Sequence, residues 1–375
     1  MKLLYIANSP TLMSPSTDAL NSILNCNKDD EITVLYLGSK DLESKNNVRF
    51  IHYECDLDKT TLPSLLKGKH FLRFVSYFCK KIINKINFSL HEFNFYEAKA
   101  LRNKACELIN KENFDRVVVF ETFSRERSNL IKKYLRKIHS KTLIYWLEMP
   151  IKKTGKFDYK YFNKISSFCH KSCIHSRYNE LIQKDTKITN VVNVEYPITT
   201  LDYNNYGSKP EKTLIYLGKM YKSIRNPEYL FKIMDKLSDY KLLVFGAGET
   251  YKLDNQNVSF MDAKPLKELY ETIEKSSGLV CIENNLDTVR KTSKLATYIP
   301  FKKPIIDIVK NEQIKPSLDL EGYKYGFVKI NETDLVDSSV SKIIEVLQNQ
   351  NSNGKDVSDY ETMFPNYIFN QFKNI

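Results

Sequence analysis

Carboxylates and an imidazole close several apolar runs of this sequence, where they could do acid–base chemistry. His52 lies in the run Arg49–Tyr53, Glu121 follows Arg116–Phe120, and Glu148 follows Thr142–Leu147. A carboxylate or imidazole so placed can take a proton from a hydroxyl or hold that hydroxyl by a hydrogen bond. The same residues also suit a structural role as hydrogen-bonded polar groups. Cys169-His170-Lys171-Ser172-Cys173-Ile174-His175 concentrates thiols and imidazoles. Its spacing is not that of a paired zinc knuckle and no second cluster completes four ligands, so small core cysteines are expected there. Asp56-Leu57-Asp58 is a short acidic pair of a kind that recurs by chance, and no metal is assigned. Gly246-Ala247-Gly248 follows the apolar run Leu242–Phe245, as phosphate-approaching turns do. Tyr251 stands where a dinucleotide fingerprint has its third glycine, and no acidic residue clearly ends the next strand.

The elements that must position these residues alternate along the chain. Strand-like runs fall at Lys2–Ala7, Glu31–Leu37, Arg49–Tyr53, Arg116–Phe120, Thr142–Leu147 and Ser172–His175, the last followed by a helix over Tyr178–Gln183. A second series falls at Thr213–Leu217, Lys241–Phe245, Val258–Phe260, Gly278–Ile282, Pro304–Ile308 and Gly326–Lys329. Helical periodicity fills the gaps at Tyr229–Leu237, Leu266–Lys275, Lys291–Ile299 and Thr333–Gln348. Runs such as Val117-Val118-Val119-Phe120 are continuous rather than alternating, the pattern of strands buried on both faces of a parallel sheet. The expected class is α/β, with two doubly wound Rossmann-like domains facing each other across a cleft. The expected boundaries are 1–200 for the first domain, 208–350 for the second, and a tail over 355–375 that packs back on the first. Tyr196–Pro210, with its Pro, Asn and Gly residues, reads as the linker.

Charge is distributed unevenly over this plan. Residues 1–200 carry 33 basic and 21 acidic side chains and residues 201–375 carry 24 of each, so the net +12 lies wholly in the first half. From Lys59 to His91 there is no acidic residue, while Phe71, Val75, Phe78, Ile82 and Ile86 recur at helical spacing. A basic amphipathic helix within 65–90 suits an anionic membrane surface, or equally a helix packed on the first domain with its lysines solvated. A composition of 42% hydrophobic residues excludes a disordered chain. The odd number of cysteines, 7, points to reduced thiols. The apolar stretch after Met1 is too short for a signal-peptide core and no run is long enough to span a bilayer. The expected location is cytoplasmic, with peripheral attachment to the inner face of the cell membrane as an option.

The second half resembles the nucleotide-sugar domain of GT-B glycosyltransferases, especially the large retaining family with many polysaccharide-building members. Leu214–Lys219 followed by Arg225-Asn226-Pro227 is similar to that family's strand, glycine, basic residue and second basic residue. Leu242–Gly248 is similar to the next strand with its glycine turn. Thr292-Ser293-Lys294-Leu295-Ala296-Thr297-Tyr298, running to Lys303-Pro304-Ile305-Ile306, is similar to a Pro-Ser-Lys-Leu-x-Glu-Tyr helix start and its following strand. The resemblance spans about residues 212–348.

What it implies is a coherent donor site. Helix N-termini attract phosphates, and basic side chains stabilise a phosphate that gains charge as it departs. Lys219 and Arg225 take that role, while Ser293 and Lys294 supply a hydroxyl and an ammonium. Gly218, Gly246, Gly248, Asn284 and Leu295 complete the donor-binding set. Glu283 matches the family's other acidic position, and with Glu148 it completes the expected catalytic set. Thr297 stands where the family has a glutamate, and Asn284-Asn285 replaces a glycine-rich context. His52 and Glu121 are acceptor-side candidates. The expected function is transfer of a sugar from a nucleotide-sugar donor to a cell-surface glycan or lipid-linked saccharide, with retention of configuration and without an essential metal or other cofactor. The alternatives are a catalytically silent GT-B-like partner subunit, suggested by Thr297, and a nucleic-acid-binding protein. For the latter, Phe120–Arg127 interleaves arginine and aromatic residues but contains no compact recognition motif, so no nucleic-acid partner is expected.

Overall fold

The computed structural model describes the chain except residues 8, 11–14, 27–28, 39–40, 46, 55–94, 122–124, 151–155, 184–187, 200–209, 247, 249–250, 252–254, 285–291, 313–315 and 350–352. The basic stretch 65–90 and the acidic pair at 56 and 58 lie outside the described residues. The chain divides into two compact units, Met1–Glu195 with Pro365–Ile375, and Tyr196–Phe364.

The first unit is built on seven parallel strands: β1 (Lys2–Ile6), β2 (Glu31–Leu37), β3 (Val48–Tyr53), β4 (Arg116–Glu121), β5 (Thr142–Trp146), β6 (Lys171–Ile174) and β7 (Val191–Asn193). Their order in the sheet is β3-β2-β1-β4-β5-β6-β7. The continuous apolar runs are the reason for this layout: Leu3–Ile6 in β1 and Val117–Phe120 in β4 are buried along their whole length, which requires cover on both faces. The short β7 was not expected as a strand. With only three residues, Val191-Val192-Asn193, it is too short to show a periodicity. The final helix, Pro365–Asn374, belongs to this unit. Its Phe372 ring lies 5.3 Å from Tyr145, 6.2 Å from Phe120 and 6.3 Å from Tyr5. Lys373 Nζ then reaches Asp30 at 2.7 Å, the carboxylate that also receives the N-terminal ammonium at 2.5 Å.

The second unit repeats the plan with β8 (Glu211–Leu217), β9 (Lys241–Phe245), β10 (Val258–Met261), β11 (Ser276–Ile282), β12 (Ile305–Val309) and β13 (Phe327–Asn331). The order is β10-β9-β8-β11-β12-β13, again all parallel. Helix Glu228–Lys236 buries Tyr229, Leu230, Ile233 and Met234 against this sheet, and helix Val336–Gln348 adds Ile343 to the same core. Each unit thus has its first and fourth strands adjacent at the centre, where the chain reverses its direction of winding. Loops on the two sides of that point part, and they leave a crevice beyond the carboxyl ends of the strands. Among the described residues, no helix is long and apolar enough to cross a membrane.

Candidate functional site

The winding of the second unit reverses between β8 and β11, and most of the expected donor-site residues meet beyond these two strands. Gly218 follows β8 with φ of 104° and donates its N–H to Phe245 O at 2.7 Å. A side chain there would be strained by the backbone, and its Cβ would sit in van der Waals contact with Lys294 Cε at 3.4 Å. Gly246 also has positive φ, 87°, and its own Cβ position falls 3.7 Å from the backbone of Gly218. At Gly248, φ is 83° and a Cβ would come within 2.7 Å of Met220 O. The glycines therefore let two loops and one lysine approach at van der Waals distance.

Arg225 is fixed in this crevice by Asn284, which accepts from its Nε at 2.7 Å. The Arg225 guanidinium also donates to Lys219 O at 3.4 Å, so the turn after β8 carries it. Lys219 itself is exposed. Lys294 is buried, with Nζ 5.0 Å from the Tyr216 ring centroid, a favourable cation–π distance. Burial first and Arg225 second lower the Lys294 ammonium to about 7, against the opposite pull of Cys281, Glu283 and Asp307. Burial disfavours a charge and a neighbouring cation repels it, whereas carboxylates favour it.

The helix that begins at Lys294 is shorter than expected. It spans Lys294–Tyr298 and continues as a 3₁₀ turn over Ile299–Phe301, where the sequence predicts Lys291–Ile299. Five residues sum few peptide dipoles, so the ammonium of Lys294 is the principal charge at this helix start. Ser293 precedes it, half-buried, and makes no capping hydrogen bond through its side chain. Thr297 donates its hydroxyl back to Ser293 O at 3.4 Å, and Leu295 is fully buried. Glu283 is 1% exposed and accepts from Ser317 N at 2.5 Å.

Tyr298, Cys281 and Asp307 had no expected role. The Tyr298 hydroxyl accepts from Leu217 N at 3.1 Å and donates to Val280 O at 3.1 Å. It thus ties the ends of β8 and β11 together. Asp307 stands opposite Cys281 in the β11–β12 register. The ligand atoms of Cys281, Glu283 and Asp307 all lie within 4.8 Å of one another. That spacing could hold a metal ion, but the Lys294 ammonium already supplies a positive charge to the same place. Burial, with Asp307 and Glu283, also pushes the Cys281 thiol well up. A sequence signal for Asp307 existed: it is the single charge in the wholly buried strand Ile305-Ile306-Asp307-Ile308-Val309.

In the first unit the acceptor-side candidates do not form one cluster. His52 lies on the edge strand β3, with Nδ1 2.7 Å from Asp41 and Nε2 3.4 Å from Glu54. Three strand spacings, about 14 Å, separate β3 from β4 across the sheet. Glu121 ends β4 and is buried, and Glu148, just past the neighbouring β5, is exposed. Arg127 is buried and donates to Phe120 O, next to Glu121 on β4. The Cys/His cluster is structural: Cys169 and Cys173 are fully buried, and burial raises both thiols, Cys169 to about 12. His170 Nε2 lies 3.1 Å from Ile375 O and His175 is buried beside Glu195, so the imidazoles do not converge with the thiols on one point.

No protein-family model matches the chain. No curated protein matches it either. Solved structures do. HepE of Anabaena, in complex with UDP and glucose, superposes with a TM-score of 0.60 over 100% of this chain and 98% of its own, at 8% identity. Sucrose-phosphate synthase from Thermosynechococcus elongatus gives 0.58 over 100% and 94%, at 9% identity. The lipopolysaccharide outer core galactosyltransferase WaaB in its apo form gives 0.54 over 100% and 98%, at 14% identity. The chain has the GT-B fold. The two parallel Rossmann-like sheets seen above are its hallmark, as the sequence resemblance implied.

Proposed function

We propose that this GT-B protein is a glycosyltransferase that moves a sugar from a nucleotide-sugar donor to a cell-surface glycan or lipid-linked saccharide, with retention of configuration. The observation that carries this reading is the meeting of Lys294, Arg225 and three positive-φ glycines beyond β8 and β11. A diphosphate needs backbone that can approach closely and fixed positive charge in a water-poor crevice, and this place offers both. As the bond from the sugar to the phosphate breaks, charge accumulates on the departing oxygen, and Lys294 and Arg225 stabilise it there. Exposed Lys219 joins them when the donor is bound. Asn284 acts through Arg225 by holding its guanidinium. Glu121 and Glu148 are the acceptor-side candidates of the first unit, as base or hydroxyl anchor. UDP is the first nucleotide to try, since HepE binds it in the same fold.

A thermal-shift panel of nucleotides and sugar nucleotides tests the reading. A ligand at about 100 times its Kd stabilises the folded state by about 2.7 kcal/mol. A shift with at least one uridine or other nucleotide supports the donor site; no response to any of them would refute it. We also propose that the basic stretch 65–90 brings the protein to an anionic membrane surface. In liposome flotation the protein should rise only with vesicles containing anionic lipid, and indifference to lipid charge would count against this.

A further inference from the structure

The donor site has a second layer that the proposed chemistry does not use. Cys281 and Glu283 are two residues apart at the end of β11, so their side chains leave the sheet on the same face. Asp307 is the register partner of Cys281 on β12, and Glu283 N donates to Ile308 O, which keeps the two strands paired to their ends. Cys281 and Asp307 are fully buried and Glu283 is 1% exposed. Two carboxyl groups this deeply buried, with ligand atoms no more than 4.8 Å apart, are costly to hold as a pair, and a nearby cation offsets that cost. Lys294, on the helix packed over this end of the sheet, provides it.

We propose that Asp307 is a positioning residue for donor binding: with Glu283 it forms the buried counter-charge that keeps the Lys294 amine protonated for a diphosphate. The inference rests on the donor-site reading above. The groups facing Lys294 are Arg225 from the turn after β8, Tyr216 from β8, Cys281 and Glu283 from β11 and its end, and Asp307 from β12. Burial opposes the protonated amine most strongly and Arg225 next, while Cys281, Glu283 and Asp307 together favour it. A Lys294 titrating at about 7 must take up a proton on binding phosphate at higher pH. Affinity then falls by up to tenfold per pH unit above that point.

The test has a ligand-free arm and a ligand arm on the full chain. Lys294 acylation by an amine-selective reagent, followed by peptide mass spectrometry from about pH 6 to about pH 9, gives the protonation midpoint directly. Asp307→Asn should lower that midpoint, and Glu283→Gln should move it the same way. In the second arm, UDP affinity is measured over the same pH range for the wild type and Asp307→Asn. The nucleotide's own titration is common to both proteins and cancels in their ratio. Above neutrality the variant should bind about tenfold more weakly, and the deficit should close as pH falls. A merely structural Asp307 would cost stability without moving either curve. Unchanged midpoints in both Asp307→Asn and Glu283→Gln would overturn the inference even if UDP binds. A shifted midpoint without UDP binding to the wild type would instead sink the donor reading and leave the charge linkage standing.

Discussion

At the scale of single residues, the site's charge is concentrated in two side chains held differently. Arg225 is half-buried and steered by hydrogen bonds to Asn284 and Lys219 O, whereas Lys294 is buried and its charge depends on its surroundings. Removing either should matter more than removing exposed Lys219, because a solvated charge is screened and a desolvated one is not. We expect Lys294→Ala and Arg225→Ala to abolish the nucleotide-induced thermal shift and Lys219→Ala only to reduce it. A full response in Lys294→Ala and Arg225→Ala would remove both residues from the site. The sequence made these residues legible because each is a basic group at a strand end or helix start within a recognisable motif. Asp307 was not legible in the same way. Along the chain it shows only as the single charge of a buried strand, and its pairing with Cys281 comes from register across β11 and β12, which no local pattern reports.

At the scale of elements, continuous apolar runs were the most readable feature. Glu31–Leu37 and Lys241–Phe245 have the strand boundaries that the sequence predicts. Short elements with mixed burial were harder: β7 has no apolar periodicity, and the helix at Lys294 is truncated. What holds that short helix in place is Tyr298, whose hydroxyl bridges Leu217 N and Val280 O. Its removal leaves a donor and an acceptor buried at the meeting of two strands. Tyr298→Phe should therefore destabilise the protein by about 1–3 kcal/mol and weaken nucleotide binding, because Lys294 rides on the same helix. Urea unfolding with and without UDP checks both. A variant as stable as the wild type would show that the bridge contributes nothing net.

At the scale of the whole molecule, both units share one strand order around a central reversal, and each has its own core. The final helix returns to the first unit, where Phe372 meets three aromatic rings and Lys373 meets Asp30. The formal charge of +12 belongs to the first half of the chain and is zero over residues 201–375, so the proposed donor site would act through the placement of a few cations rather than through bulk charge. The central claim is thus local: a nucleotide diphosphate binds beyond β8 and β11 of the second unit. Hydrogen-exchange mass spectrometry of the full chain with and without UDP tests it most directly. The account predicts slowed exchange in peptides covering 216–225, 283–284 and 292–298, with little change around β1 and β4. Protection confined to the first unit, or none at a UDP concentration that shifts the melting temperature, would contradict it.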